Sequence, residues 1–168
     1  MPRSSDAQGT SATERVRSAL VEQGLVAQIV EFPESTRTAQ EAARAVGATV
    51  AQIVKSLVFI ADARPVLALA SGANRVDVGK LAWLAGATRV AKATAEETRE
   101  ATGFSIGGVP PLGHPTRLAV YLDETLLHHD VVYAAAGTPH AVFAVDPRAL
   151  ARVVHARVAD IAEASAAR

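Results

Sequence analysis

The chain has 168 residues, 17 Lys+Arg against 17 Asp+Glu, and no cysteine. This length suits one domain with a real core, and the missing cysteines exclude disulfides, thiolate catalysis and Cys-ligated zinc. The formal net charge of zero argues against coating nucleic acid by bulk attraction, although a local basic groove stays open.

Met1 to Thr10 lacks the apolar core of a signal peptide and reads as a flexible leader, with residues 11–168 as one domain. No apolar run approaches the roughly 18 residues of a membrane span. Absent cysteine and absent membrane span are compatible with the cytoplasm. Ser11-Ala12-Thr13-Glu14 has the form of a capping box and opens a helix to about Gln23, stopped by Gly24. Ala27 to Phe32 reads as a strand ended by Pro33. A second capping box, Thr38-Ala39-Gln40-Glu41, opens a short helix closed by Gly47, and Thr49 to Gln52 reads as one helical turn. Val54 to Ala61 and Pro65 to Ala70 are two strands joined at Asp62-Ala63-Arg64.

Asp77 caps a helix with Val78, Leu81, Ala82 and Ala85 on one face, ended by Gly86. Thr88 to Lys92 is a short strand. Thr94-Ala95-Glu96-Glu97 is a third capping box, its helix ending at Gly103. After a Gly/Pro loop come strands at Arg117 to Leu122, Val131 to Ala135 and Ala141 to Val145. Asp146-Pro147 is an N-cap followed by proline at the first helical position. Leu150, Val154, Val158 and Ile161 are spaced as a helical stripe, in one helix or two. Short helices interrupt the strands without a regular βαβ rhythm. The expected fold is α/β: a mixed, mainly antiparallel sheet, open to barrel-like closure, with short helices around it.

Two features stand out chemically. Lys55 is the lone cation in the apolar run Ile53-Val54-Lys55-Ser56-Leu57-Val58-Phe59-Ile60. It must reach water, a partner or a ligand anion, and a snorkelling or salt-bridged lysine is the plain alternative. The loop Gly107-Gly108-Val109-Pro110-Pro111-Leu112-Gly113-His114 can bring backbone N–H groups close to an anion or carbonyl, or can be a simple turn. A third candidate is Ala134-Ala135-Ala136-Gly137-Thr138-Pro139-His140, whose small side chains leave room beside a sheet unless it is only a tight hairpin. His114 and His140 lie in these loops, whereas His155 sits beside Arg152 and Arg157 and reads as solvated. His128-His129-Asp130 invites a metal, but adjacent strand residues face opposite ways, so no metal site is expected.

Lys55, the Gly107–Gly113 loop and the small-residue turn before Asp146-Pro147-Arg148-Ala149-Leu150 occur in an order that resembles the YbaK-like family of aminoacyl-tRNA deacylases. That family also occurs as the editing insertion of bacterial prolyl-tRNA synthetases. The resemblance runs from about Thr38 to Val154, and Gly107-x-x-x-Pro111 is its most specific part. It implies hydrolysis of the ester joining a wrong amino acid to the terminal adenosine of tRNA, with no cofactor. Lys55 would contact the 3′ end, Gly107 and Gly108 would position the ester, and the free ribose hydroxyl would help activate water. Pro111, Gly113, His114, Ala135, Ala136, Gly137 and His140 would bind substrate. One departure concerns specificity. Members that remove cysteine carry serine and a carboxylate around the final turn and strand, and Tyr133 to Phe143 holds neither. A small apolar amino acid such as alanine fits as well as cysteine. The resemblance points to a trans-acting editor, for tRNA(Pro) or another tRNA. The neutral charge implies weak independent tRNA affinity, so a synthetase or elongation factor is an expected helper. A non-catalytic module that binds a tRNA end or nucleotide is the alternative.

Overall fold

The computed structural model describes residues 11–164, so the expected leader at 1–10 lies outside the described residues. Helix α1 spans Ala12–Glu22, with the Ser11 side chain accepting from the Glu14 N–H. Strand β1 (Ile29–Glu31) precedes α2 (Ala39–Val46), whose Thr38–Glu41 capping box forms in both directions and whose end is set by left-handed Gly47. A 3₁₀ turn at Val50–Gln52 leads into β2 (Ile53–Ala61), and β3 (Arg64–Ser71) returns from it. Then come α3 (Val78–Ala85), β4 (Val90–Lys92) and α4 (Ala95–Thr102), the last opened by the Thr94–Glu97 capping box. Strand β5 (Ala119–Asp123) is followed by a 3₁₀ turn at Glu124–His128, β6 (Val132–Ala135), β7 (Ala141–Val145), α5 (Pro147–Val153) and β8 (Arg157–Ala159).

Among the described residues, one sheet holds all eight strands in the order β1-β7-β6-β2-β3-β5-β8, with β4 added to β2. The pairs β1/β7, β2/β3, β2/β4 and β6/β7 are antiparallel, and β2/β6, β3/β5 and β5/β8 are parallel. The mixed, mainly antiparallel sheet read from the sequence is present, and its path ends at β1 and β8. Alternation along β2 serves two cores. Val54 and Val58 enter the main one with Leu67, Leu69, Phe143 and Leu150. Phe59 and Ala61 enter a second one with Leu81, Tyr121 and Ile161, and Leu57 packs against it. Strand β2 is therefore covered on both faces, as its near-continuous apolar run requires.

The C-terminal stripe is where the sequence reading fails. Helix α5 stops at Val153, and His155 takes a left-handed φ of 55°. Chain direction changes there, and Val158 falls in β8 rather than on a helix. Ile161 is fully buried while Val158 is 40 % exposed, so the two do not share a face. The face expected on α3 is also narrower, since Leu81 is buried but Val78 is exposed. Among the described residues, no helix is long and apolar enough to cross a membrane.

Candidate active site

Lys55 is the third residue of β2 and is partly buried. Its Nζ donates to the backbone carbonyl of Asn74 at 2.5 Å. That carbonyl is held in place from behind. The Asn74 amide donates to Asp123 Oδ2 at 2.9 Å and to Thr125 Oγ1 at 3.0 Å. Asp123 is only 1 % exposed and also accepts from Ser71 N–H, from Thr125 N–H and from the Thr125 hydroxyl. The end of β5 thus fixes the loop after β3, and that loop fixes the lysine. Sequence reasoning missed Asn74, Asp123 and Thr125.

A hollow of about 260 Å³ opens beside Lys55. Its walls come from Thr36 to Ala39 before and within α2, from Ile53 to Leu57 of β2, from Ile106, Gly107 and Val109, and from Tyr133, Ala135, Thr138, Ala141 and Val142 of the β6–β7 hairpin. It is smaller than the roughly 300–1,000 Å³ of pockets that enclose drug-sized ligands. Lys55 and Leu57 also line a second groove, of about 470 Å³, with Arg75, Lys92 and Glu163. Lys55 therefore stands between a mostly apolar hollow and a groove with two further cations.

Burial holds the Lys55 ammonium below the ordinary lysine value of 10.5; Lys92 and Arg75 push it the same way, and Asp123 opposes them. A lysine with a lowered pKa loses its charge sooner as pH rises. Any activity that needs this ammonium should fall on the alkaline side earlier than for a free lysine. Lys92→Ala removes a like charge and should move that limb to higher pH, whatever it does to the maximal rate. Rate–pH profiles of both proteins, corrected for spontaneous ester hydrolysis, check this. A limb that stays put or moves to lower pH would rule it out.

The expected site residues do not all meet. Lys55, Gly107 and Ala135 line the hollow. Gly108 does not, but a Cβ there would lie 2.6 Å from Thr138 Cα and 2.8 Å from the Gly137 carbonyl. Its glycine lets the loop press backbone to backbone on the β6–β7 turn. Gly137, at φ 100°, is packed in turn against the start of α1, where a Cβ would lie 2.7 Å from the Ala12 carbonyl oxygen. Ala136 is fully buried in the main core, and His140 is exposed at the hairpin tip. Pro111, Gly113 and His114 line a separate hollow of about 220 Å³ with Glu22, Arg117 and His155. His114 Nε2–H donates to the Pro110 carbonyl at 2.8 Å. Burial keeps this imidazole below the usual histidine range, and the bond to Pro110 partly offsets that. His128 ends a 3₁₀ turn rather than lying on a strand, so the alternation argument does not apply to it. Among the described residues, no group of three or more His, Asp or Glu is placed to hold a metal ion.

Comparison with known proteins decides the family. The profile of the aminoacyl-tRNA editing domain matches residues 33–153. The chain belongs to this family of aminoacyl-tRNA editing domains. A solved structure described as "a putative trans-editing enzyme for prolyl tRNA synthetase" superposes with a TM-score of 0.86 at 51 % identity, covering 93 % of this chain and 99 % of that one. The Bacillus subtilis protein YwhH is 30 % identical over 131 residues, 77 % of this chain and 83 % of its own. The Enterococcus faecalis "Putative Cys-tRNA(Pro)/Cys-tRNA(Cys) deacylase EbsC" is 26 % identical over 131 residues, 77 % of this chain and 80 % of its own. The matched span of the editing domain contains the hollow and Lys55, together with Asn74 and Asp123.

Proposed function

We propose that this editing domain hydrolyses mischarged aminoacyl-tRNA in trans, with tRNA(Pro) carrying a small amino acid such as alanine or cysteine as its substrate. The carrying observation is the position of Lys55 on the wall shared by the apolar hollow and the cationic groove. The hollow takes the aminoacyl group, and the groove takes the phosphodiester of the tRNA 3′ end near Arg75 and Lys92. Water attacks the acyl carbon, assisted by the free hydroxyl of the terminal ribose. The acyl–oxygen bond breaks, leaving a free amino acid and a tRNA with both terminal hydroxyls. Lys55 anchors the terminal nucleotide, and the Gly107 loop closes over the ester. Positioning and charge stabilisation then supply the rate. The reaction takes place in the cytoplasm, where a synthetase or elongation factor delivers or receives the tRNA.

One observation favours a second reading, a module that binds a tRNA end or nucleotide without turnover. Among the described residues lining the hollow, no serine or threonine hydroxyl is hydrogen-bonded to a histidine ring. A panel of mischarged tRNAs separates the two readings. We expect alanyl- and cysteinyl-tRNA(Pro) to release amino acid well above background, and esters of large side chains to resist. Tight binding of every charged tRNA with no release above background would overturn the hydrolase reading and leave the binding module.

A further inference from the structure

Strand β2 has two partners along one edge and a gap between them. Strand β6 pairs with it at Ile53 and Val54, and β4 pairs with it from Phe59 to Ala61. Among the described residues, no strand pairs with that edge from Lys55 to Leu57. The flanking bonds show which way the backbone points there. The Ile53 carbonyl accepts from Gly72 N–H at 2.7 Å, on the β3 side. The Val58 carbonyl accepts from Ala93 N–H at 3.0 Å, on the opposite side. In an extended strand paired antiparallel, a residue's N–H and C=O point the same way, and the direction alternates residue by residue. Ser56 therefore directs both its N–H and its C=O into the gap. Its hydroxyl oxygen is sealed from solvent and has no hydrogen-bond partner. Ser56 also lines the hollow, next to Lys55.

Buried polar groups are nearly always hydrogen-bonded, and an open strand edge is a ready template for an extended ligand. We propose that Ser56 docks the α-aminoacyl group of the substrate as a one-residue antiparallel strand. The Ser56 carbonyl accepts from the α-ammonium, and the Ser56 N–H donates to the ester carbonyl oxygen, the paired exchange of a hydrogen-bonded bridge. The amino-acid side chain then lies against the apolar wall that includes Ala135 and Val142. This inference rests on the reading that the protein takes an aminoacyl ester. It makes Ser56 the residue that selects the α-amino group, and it aims a backbone donor at the oxygen on which negative charge develops during hydrolysis.

Substrate analogues test this on the unaltered protein. Alanyl-tRNA(Pro), its lactyl counterpart with hydroxyl in place of ammonium, and N-acetylalanyl-tRNA(Pro) are compared in single turnovers, each relative to its own spontaneous hydrolysis. The lactyl ester keeps one O–H donor but loses the charge, and should lose about 10-fold of the enhancement, because a charge-assisted hydrogen bond is about twice as strong as a neutral one. N-acetylation should block the reaction. Equal enhancement of all three esters would overturn the docking while leaving the hydrolase reading intact. No enhancement of any ester would overturn both readings together.

Discussion

Lys55→Ala should abolish most deacylation and leave the melting temperature within a few degrees of the parent. The activity loss should be about 10²- to 10³-fold, the range found when one charge-stabilising donor is removed from a preorganised site. Stability should hold for a reason visible around the side chain. Nζ donates to a neutral carbonyl, that of Asn74, so its removal strands no carboxylate. Lys92 and Arg75 are like charges, and burial already disfavours the ammonium. Losing one hydrogen bond from a charged donor costs about 1.5–3 kcal/mol, and the relief of repulsion and desolvation works against that cost. Lys55→Arg should rescue poorly, because a planar guanidinium cannot occupy the point position of an ammonium. Near-normal turnover by Lys55→Ala would show that the lysine does not carry the chemistry. Unfolding would show that its bond to Asn74 is structural.

The legible part of this chain was local. Capping boxes at Thr38 and Thr94, and glycines at 47, 86 and 103, set helix ends that the structure reproduces, because they act within a few residues. Lys55 could be singled out because a single charge in an apolar strand is conspicuous. The C-terminal stripe misled because the helix breaks at His155, a residue that carries no glycine or proline signal for a left-handed turn. The supports of the site were illegible for a different reason. Asn74 and Asp123 are 49 positions apart, and each reads alone as an ordinary polar residue, the first in a loop and the second at the end of a strand. Ser56 is bland in sequence. Its interest comes from the unequal reach of β6 and β4 along one edge of β2, which is a property of topology. The Gly/Pro loop is conspicuous in sequence, but its division between two hollows is not, with Gly107 lining one and Pro111 to His114 the other.

Asp123→Ala should differ from Lys55→Ala by losing fold and function together. The carboxylate is 1 % exposed and accepts from four donors: Ser71 N–H at 3.0 Å, Asn74 Nδ2 at 2.9 Å, Thr125 N–H at 3.0 Å and Thr125 Oγ1 at 2.7 Å. Alanine leaves all four facing a void, and removing one side of a buried charged network costs about 3–5 kcal/mol. For a domain of this size, that is a drop of about 10 °C in melting temperature, at about 2–4 °C per kcal/mol. Asp123→Asn keeps the shape but sets an N–H₂ group against donors on one side. It should cost less, about 1–3 kcal/mol. The Asn74 carbonyl that holds Lys55 is fixed through this same carboxylate. Deacylation by the folded fraction of Asp123→Asn, measured well below its melting temperature, should therefore fall about 10-fold or more, since small misplacements of a catalytic group cost that much or more. If the folded Asp123→Asn protein turns over at the parental rate, the carboxylate stabilises the sheet end without positioning the lysine. If Asp123→Ala melts at the parental temperature, the four-donor network does not hold the loop after β3.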